Sequence, residues 1–140
     1  MDTIDKTQIQ TVKIKEVEFT DEFDGVVTVV TISGNFVSAY FWGNDFQQDE
    51  QVEVEFSSLD YPVSWEAIFS ENKEHKLVLK PAAEKCAYYA YGKILSLSPI
   101  IADFGDIKLS IGDWTHDERV IGEYIYWKID RLDIRRISTT

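Results

Sequence analysis

Alternation with a period of two governs this chain. In Val52-Glu53-Val54-Glu55-Phe56 the apolar side chains fall on one face of an extended strand and the carboxylates on the other. A helix would spread the same residues around its circumference, so the segment predicts a half-buried strand with an acidic outer face. Val12-Lys13-Ile14 alternates in one phase and Val17-Glu18-Phe19 in the opposite one, which predicts a strand over 12–19 with a bulge near Lys15-Glu16. Residues 26–33 are β-branched almost throughout, and Gly34-Asn35 then leads into Phe36-Val37-Ser38-Ala39-Tyr40-Phe41-Trp42. That pattern reads as a hairpin closed by a two-residue turn.

Further strands are expected at 65–69, 76–80, 88–97, 106–111 and 121–130, with a last one at 132–137; residues 82–87 are the best place for a helical turn, but six residues are too few to assign one. Gly105, Gly112 and Gly122 punctuate them. No helical stripe exceeds about two turns. Residues 49–60 echo 122–133 in their apolar positions and closing Leu-Asp, which we read as convergence on strand-plus-turn chemistry. The expectation is an all-β fold in one domain spanning 1–140, with 1–10 as a flexible tail. About nine short antiparallel strands would form either a partly open, OB-like barrel or a two-sheet sandwich.

With 140 residues and 19 aromatic side chains, the chain has enough apolar material for its own core, and disorder is excluded. Cys86 is the only cysteine, so no intrachain disulfide forms and a cysteine-based zinc site lacks ligands. Met1-Asp2-Thr3-Ile4-Asp5-Lys6 lacks the basic start and apolar stretch of a secretory signal. No apolar run approaches the ~20 residues that cross a bilayer as a helix. A cytoplasmic protein with no membrane association is therefore expected.

Charge is distributed unevenly. The formal net charge is −11, yet residues 1–15 and 73–140 each sum to +1. Residues 16–72 hold thirteen acids and no Lys or Arg. A surface of one sign costs some self-repulsion and steers partners of the opposite sign. It brings no cations to displace phosphate counterions, so nucleic acid is disfavoured as a partner. The basic cluster of Lys128, Arg131, Arg135 and Arg136 is expected to pair with Asp130, Asp133 and the acidic half.

Catalytic constellations are weak. Ile101-Ala102-Asp103-Phe104-Gly105 resembles the metal-binding Asp-Phe-Gly element of protein kinases over five residues, but no glycine-rich loop or His-Arg-Asp loop accompanies it, and Asp103-Phe104-Gly105-Asp106 reads as a turn between strands. Asp113, His116, Asp117 and Glu118 place one imidazole among carboxylates, the best metal or acid–base candidate. A polar loop tip has the same composition. Cys86 has Lys85 beside it but no nearby histidine, and no serine sits in a Gly-x-Ser-x-Gly elbow, so a buried, inert cysteine is expected. No catalytic residue, metal ligand or cofactor is assigned.

Aromatics rimmed by acids carry the leading expectation. If Phe41 points inward, Tyr40 and Trp42 point outward, beside Asp45, Asp49 and Glu50. Aromatic anchors with a charged rim suit a protein interface. The expected contact surface is Tyr40, Trp42, Asp45, Phe46, Asp49, Glu50, Glu53, Glu55 and Tyr61, engaging a basic protein. A small acidic inhibitor, such as a bacterial immunity protein against a cationic nuclease toxin, has this size and charge. The alternative is an enzyme or metal-binding protein with a carboxylate site in the 103–118 loops.

Overall fold

The computed structural model describes residues 9–43, 46–60 and 63–137. Strand β1 (Ile9–Phe19) carries the phase change of its sequence into space, because its register against β2 (Asp24–Val30) slips between Ile14 and Glu16. Val12 and Ile14 are buried before the bulge, and Val17 turns inward after it. Ile9 and Gln10 are already paired in β1, so the expected tail over 1–10 is too long by two residues; the remainder of it lies outside the described residues.

β2 pairs with β3 (Phe36–Trp42) from Asp24↔Trp42 to Val30↔Phe36. The hairpin is as expected but its turn is longer, with five residues, 31–35, beyond the last pair. Gly34 takes φ +88°, and the Thr31 amide donates to the Asn35 carbonyl at 2.9 Å, closing a wider loop than the primed two-residue turn. β4 (Gln51–Asp60) buries Val52, Val54 and Phe56 and exposes Glu53, as its alternation requires.

The expected strands at 121–130 and 132–137 are one strand, β9 (Tyr124–Arg136). Ile125, Trp127 and Ile129 face inward, and then the inward phase shifts to Leu132 and Ile134. The slip coincides with a register irregularity between Leu59 and Asp60 of β4. This change of phase makes one long strand look like two in sequence. Its second half pairs with β4, and its first half pairs with β6 (Tyr88–Ser96). A parallel contact, Tyr40↔Asp133, joins β3 to β9 and closes β1, β2, β3, β9 and β4 into a ring. The result is an all-β, partly open barrel.

From the first half of β9 the sheet continues through β6 to β5 (Val78–Pro81), β7 (Ile101–Asp103) and β8 (Lys108–Ser110). Residues 65–69 form a helix, α1 (Trp65–Ser70), where a strand is expected. Ser64 caps it by accepting the Ala67 amide, and Trp65, Ile68 and Phe69 follow helical i, i+3, i+4 spacing. Residues 82–87, to which the sequence assigns no helix, form a turn; the Ala82 amide donates to the Ala87 carbonyl at 2.9 Å, and Cys86 adopts φ +64°.

Two polar stitches hold the extension to the barrel. The Gln10 side chain both donates to the Lys108 carbonyl (2.7 Å) and accepts from the Lys108 amide (2.9 Å), linking β1 to β8. Buried Asn72 donates to the carbonyls of Lys76, Gly92 and Ile125 and accepts from the Lys76 amide. Phe41, Phe56 and Phe104 are the largest wholly buried rings of the core.

Candidate functional site: the acidic end of the barrel

Cross-strand rows build one end of the barrel. Phe19, Gly25 and Phe41 lie side by side on β1, β2 and β3. Gly25 contributes no side chain, and a Cβ there would lie 2.2 Å from the Glu18 carbonyl oxygen. Across that gap Phe19 meets Phe41 edge to face at 5.5 Å, and Phe41 in turn meets Phe46 at 5.5 Å. Phe41 is wholly buried, whereas Phe19 remains 45% exposed.

The next row pairs Asp24 with Trp42. Trp42 is 54% exposed and packs edge to face on Tyr40 at 4.9 Å. The Tyr40 hydroxyl donates to Asp24 Oδ2 at 3.2 Å. Partial desolvation, followed by the adjacent Asp24 carboxylate, pushes the Tyr40 phenol above its ordinary pKa. Arg131 lies over both rings, at 4.6 Å from Tyr40 and 4.9 Å from Trp42, and is held there by the buried Asp133 carboxylate.

Between β1 and β2 the chain turns on Asp21. Its Oδ1 accepts the amides of Phe23 and Asp24, each at 2.9 Å. That turn leaves Phe23 59% exposed, with Asp21 and Glu22 also exposed. Three exposed aromatics, Phe19, Phe23 and Trp42, therefore share this end with Glu18, Asp21, Glu22 and Asp24. Glu18 is in turn paired with Lys85 at 3.3 Å.

The residues expected to form the contact surface are dispersed by the fold. Tyr40 and Trp42 point outward, as the inward Phe41 requires. Phe46 is a correction: it is 5% exposed, packed on Phe41 and below Arg136, and presents no surface to a partner. Glu50 forms an ion pair with Arg136, and Glu55 pairs with Arg135 at 2.8 Å. Asp49 stands exposed in a turn at φ +70°, and Glu53 is exposed on β4 opposite Thr11. Asp45 and Tyr61 lie outside the described residues.

The basic cluster pairs as its sequence suggests, with Lys128–Asp130 at 3.7 Å and Arg131–Asp133 at 2.8 Å alongside Arg135–Glu55 on β4 and Arg136–Glu50 just before it. Because β9 is the neighbour of β4, part of the acidic strip is neutralised within the molecule. In the β1–β2 turn, Asp21 and Glu22 are exposed and make no ion pair among the described residues. Sequence reasoning passed over Phe19 and Phe23, although two phenylalanines flanking Thr20-Asp21-Glu22 were a visible signal.

The 103–118 loops assemble less. His116 Nδ1 lies 3.8 Å from Asp113 and 3.5 Å from Ser98 Oγ, while Asp117 turns to Arg119. Arg119's side-chain and backbone hydrogen bonds hold the Asp117 carboxyl down at about 2. Among the described residues no group of three or more His, Cys, Asp and Glu side chains gathers as metal ligands would. Cys86 is buried beside a groove of about 660 Å³ lined by Phe36, Ser38, Pro81 and Tyr88, and burial pushes its thiol up to about 11. A thiol so shifted is a poor nucleophile near neutral pH.

No helix among the described residues is long and apolar enough to cross a membrane. No protein-family model matches the chain, and neither curated proteins nor solved structures give a match.

Proposed function

We propose that this protein is a binding domain for a basic protein, an inhibitor of the immunity type that covers a cationic enzyme such as a nuclease. The observation that carries the reading is the Asp24–Trp42 row at the end of β2 and β3, where Trp42 is exposed next to Asp24 and the adjoining Asp21 turn leaves Phe23 exposed. Tyrosine, tryptophan and phenylalanine anchor protein interfaces, and rim charges of one sign accelerate encounter with the opposite sign. In this reading Trp42 and Phe23 enter the partner, while Asp21, Glu22 and Asp24 meet its lysines and arginines. Arg131 and Asp133 hold the Tyr40–Trp42 pair in place before contact, which lowers the ordering cost of binding.

The test is differential capture from lysate of the source organism by immobilised wild type and by a D21N/E22Q/D24N variant, followed by titration of the retained protein in purified form. A cationic protein bound by wild type, released by salt and weakened by the variant is the expected result. Retention of the same proteins by both baits would sink the reading.

A further inference from the structure

We propose that the outer face of β5, β6 and the first half of β9 is a platform for single-stranded nucleic acid. This surface is separate from the acidic end and does not rest on its assignment. On β6, Tyr89 and Tyr91 point outward while Tyr88 and Ala90 are buried; on β9, Tyr124 and Tyr126 point outward while Ile125 and Trp127 are buried. The register brings these tyrosines together, with Tyr91 opposite Tyr126 and their rings 5.4 Å apart. Side chains two apart on a strand stand about 6.6–6.8 Å from each other, and neighbouring strands are about 4.8 Å apart, a spacing on which successive unstacked bases can lie.

Lysines frame the rings. Lys80 lies opposite Tyr89, Tyr89 lies opposite Lys128, and Lys93 lies opposite Tyr124. Their ammonium groups sit over the ring faces: Lys80 and Lys76 over Tyr91 at 5.4 and 5.6 Å, Lys93 over Tyr124 at 5.5 Å, and Lys128 over Tyr89 at 5.2 Å. Lys76 and Lys128 also have acidic neighbours, Glu74 at 3.5 Å and Asp130 at 3.7 Å. Lys80 and Lys93 make no ion pair among the described residues.

A base stacking on a ring displaces the ammonium outward, to where the phosphates of the same strand run. Tyr124 already takes a planar partner, because the His75 imidazole is stacked on it at 4.2 Å and 13°. The cation-free segment is residues 16–72, and none of these side chains belongs to it. The acidic remainder of the chain opposes binding at long range, so the complex forms at low salt. An acidic peptide would meet the same lysines, but it has no use for the tyrosine faces.

The test is fluorescence anisotropy with a labelled oligo(dT) strand of about 15 nucleotides and with its duplex, at about 20 mM and about 200 mM salt. The expected result is saturable binding of the single strand at low salt, weakened at least about tenfold at the higher salt. The pair Tyr89→Ala with Tyr126→Ala should weaken it about tenfold or more, while both residues as Phe retain it. Lys80→Gln with Lys93→Gln, which leaves the packed rings untouched, should flatten the salt dependence and provides a readout even if the alanine pair fails to fold. Absence of saturable binding at low salt, equal binding of the duplex, or unchanged affinity in correctly folded alanine variants would overturn the proposal. Binding of a polyglutamate peptide in place of the oligonucleotide would overturn it as well.

Discussion

Arg131 grips the buried carboxylate of Asp133 through two hydrogen bonds, Nε to Oδ1 at 2.8 Å and an Nη to Oδ2 at 3.2 Å, while its guanidinium covers the rings of Tyr40 and Trp42. One side chain thus neutralises the only buried charge among the described residues and fixes the exposed aromatic pair. Arg131→Ala leaves Asp133 unpaired at 7% exposure. The expected loss is about 2–3 kcal/mol, below that of a fully buried pair because Arg131 itself is partly exposed. Urea denaturation checks this, and adding Asp133→Asn should recover part of the loss.

Asn72 carries a different structural burden. It joins the segment after α1 to β6 and β9 through three carbonyls, and all of its bonding groups are engaged in the interior. Asn72→Ala strands those carbonyls and is expected to cost about 2–4 kcal/mol. Asn72→Asp should be worse, because a carboxylate cannot donate to any of them. Denaturant midpoints of the two variants give the order directly.

Gly92 makes room for Phe104. A Cβ at residue 92 would fall 2.5 Å from the Phe104 ring and 2.6 Å from the Asp103 carbonyl oxygen, and the carbonyl belongs to backbone paired in β7. Gly92→Ala is therefore expected to destabilise by about 1–3 kcal/mol. Phe104→Leu in the same chain should relieve some of that strain, which a double-mutant thermal series resolves.

Cys86 titrates late. Burial, partly offset by Lys85, raises its thiol to about 11 in the folded chain. The folded state holds the proton more tightly than the unfolded chain does, so this contribution to stability is intact below an ordinary thiol pKa of about 8.5 and fades as pH rises toward 11. Iodoacetamide should label native protein slowly at pH 8 and rapidly after unfolding. Fast native labelling would contradict the placement of this thiol.

Much of the barrel was legible because its strands are half-buried. Val52, Val54 and Phe56 mark β4, the phase change at Lys15 marks the bulge of β1, and the β-branched run after Gly25 marks β2. Local signals failed where a second periodicity hides in a short apolar segment. Trp65, Ile68 and Phe69 read as strand until Ser64 is seen as a cap. β9 looks like two strands because its inward phase changes where it passes from β6 to β4. Pairing of the basic cluster with the acidic half was legible in the charge distribution, but strand order is not written in composition, so the choice of Glu50 and Glu55 as partners of Arg136 and Arg135 was not.

The claim that the acidic end is the contact surface is most directly tested by its aromatic rings, which do little for the fold. Phe23 and Trp42 are 59% and 54% exposed, so F23S/W42S should change stability by no more than about 1 kcal/mol. Titration calorimetry of this variant against the cationic protein that wild type retains should show a dissociation constant raised at least about a hundredfold, as the loss of two central anchors requires. A variant that binds as tightly as wild type, or a wild type that retains no cationic protein at low salt, contradicts the account.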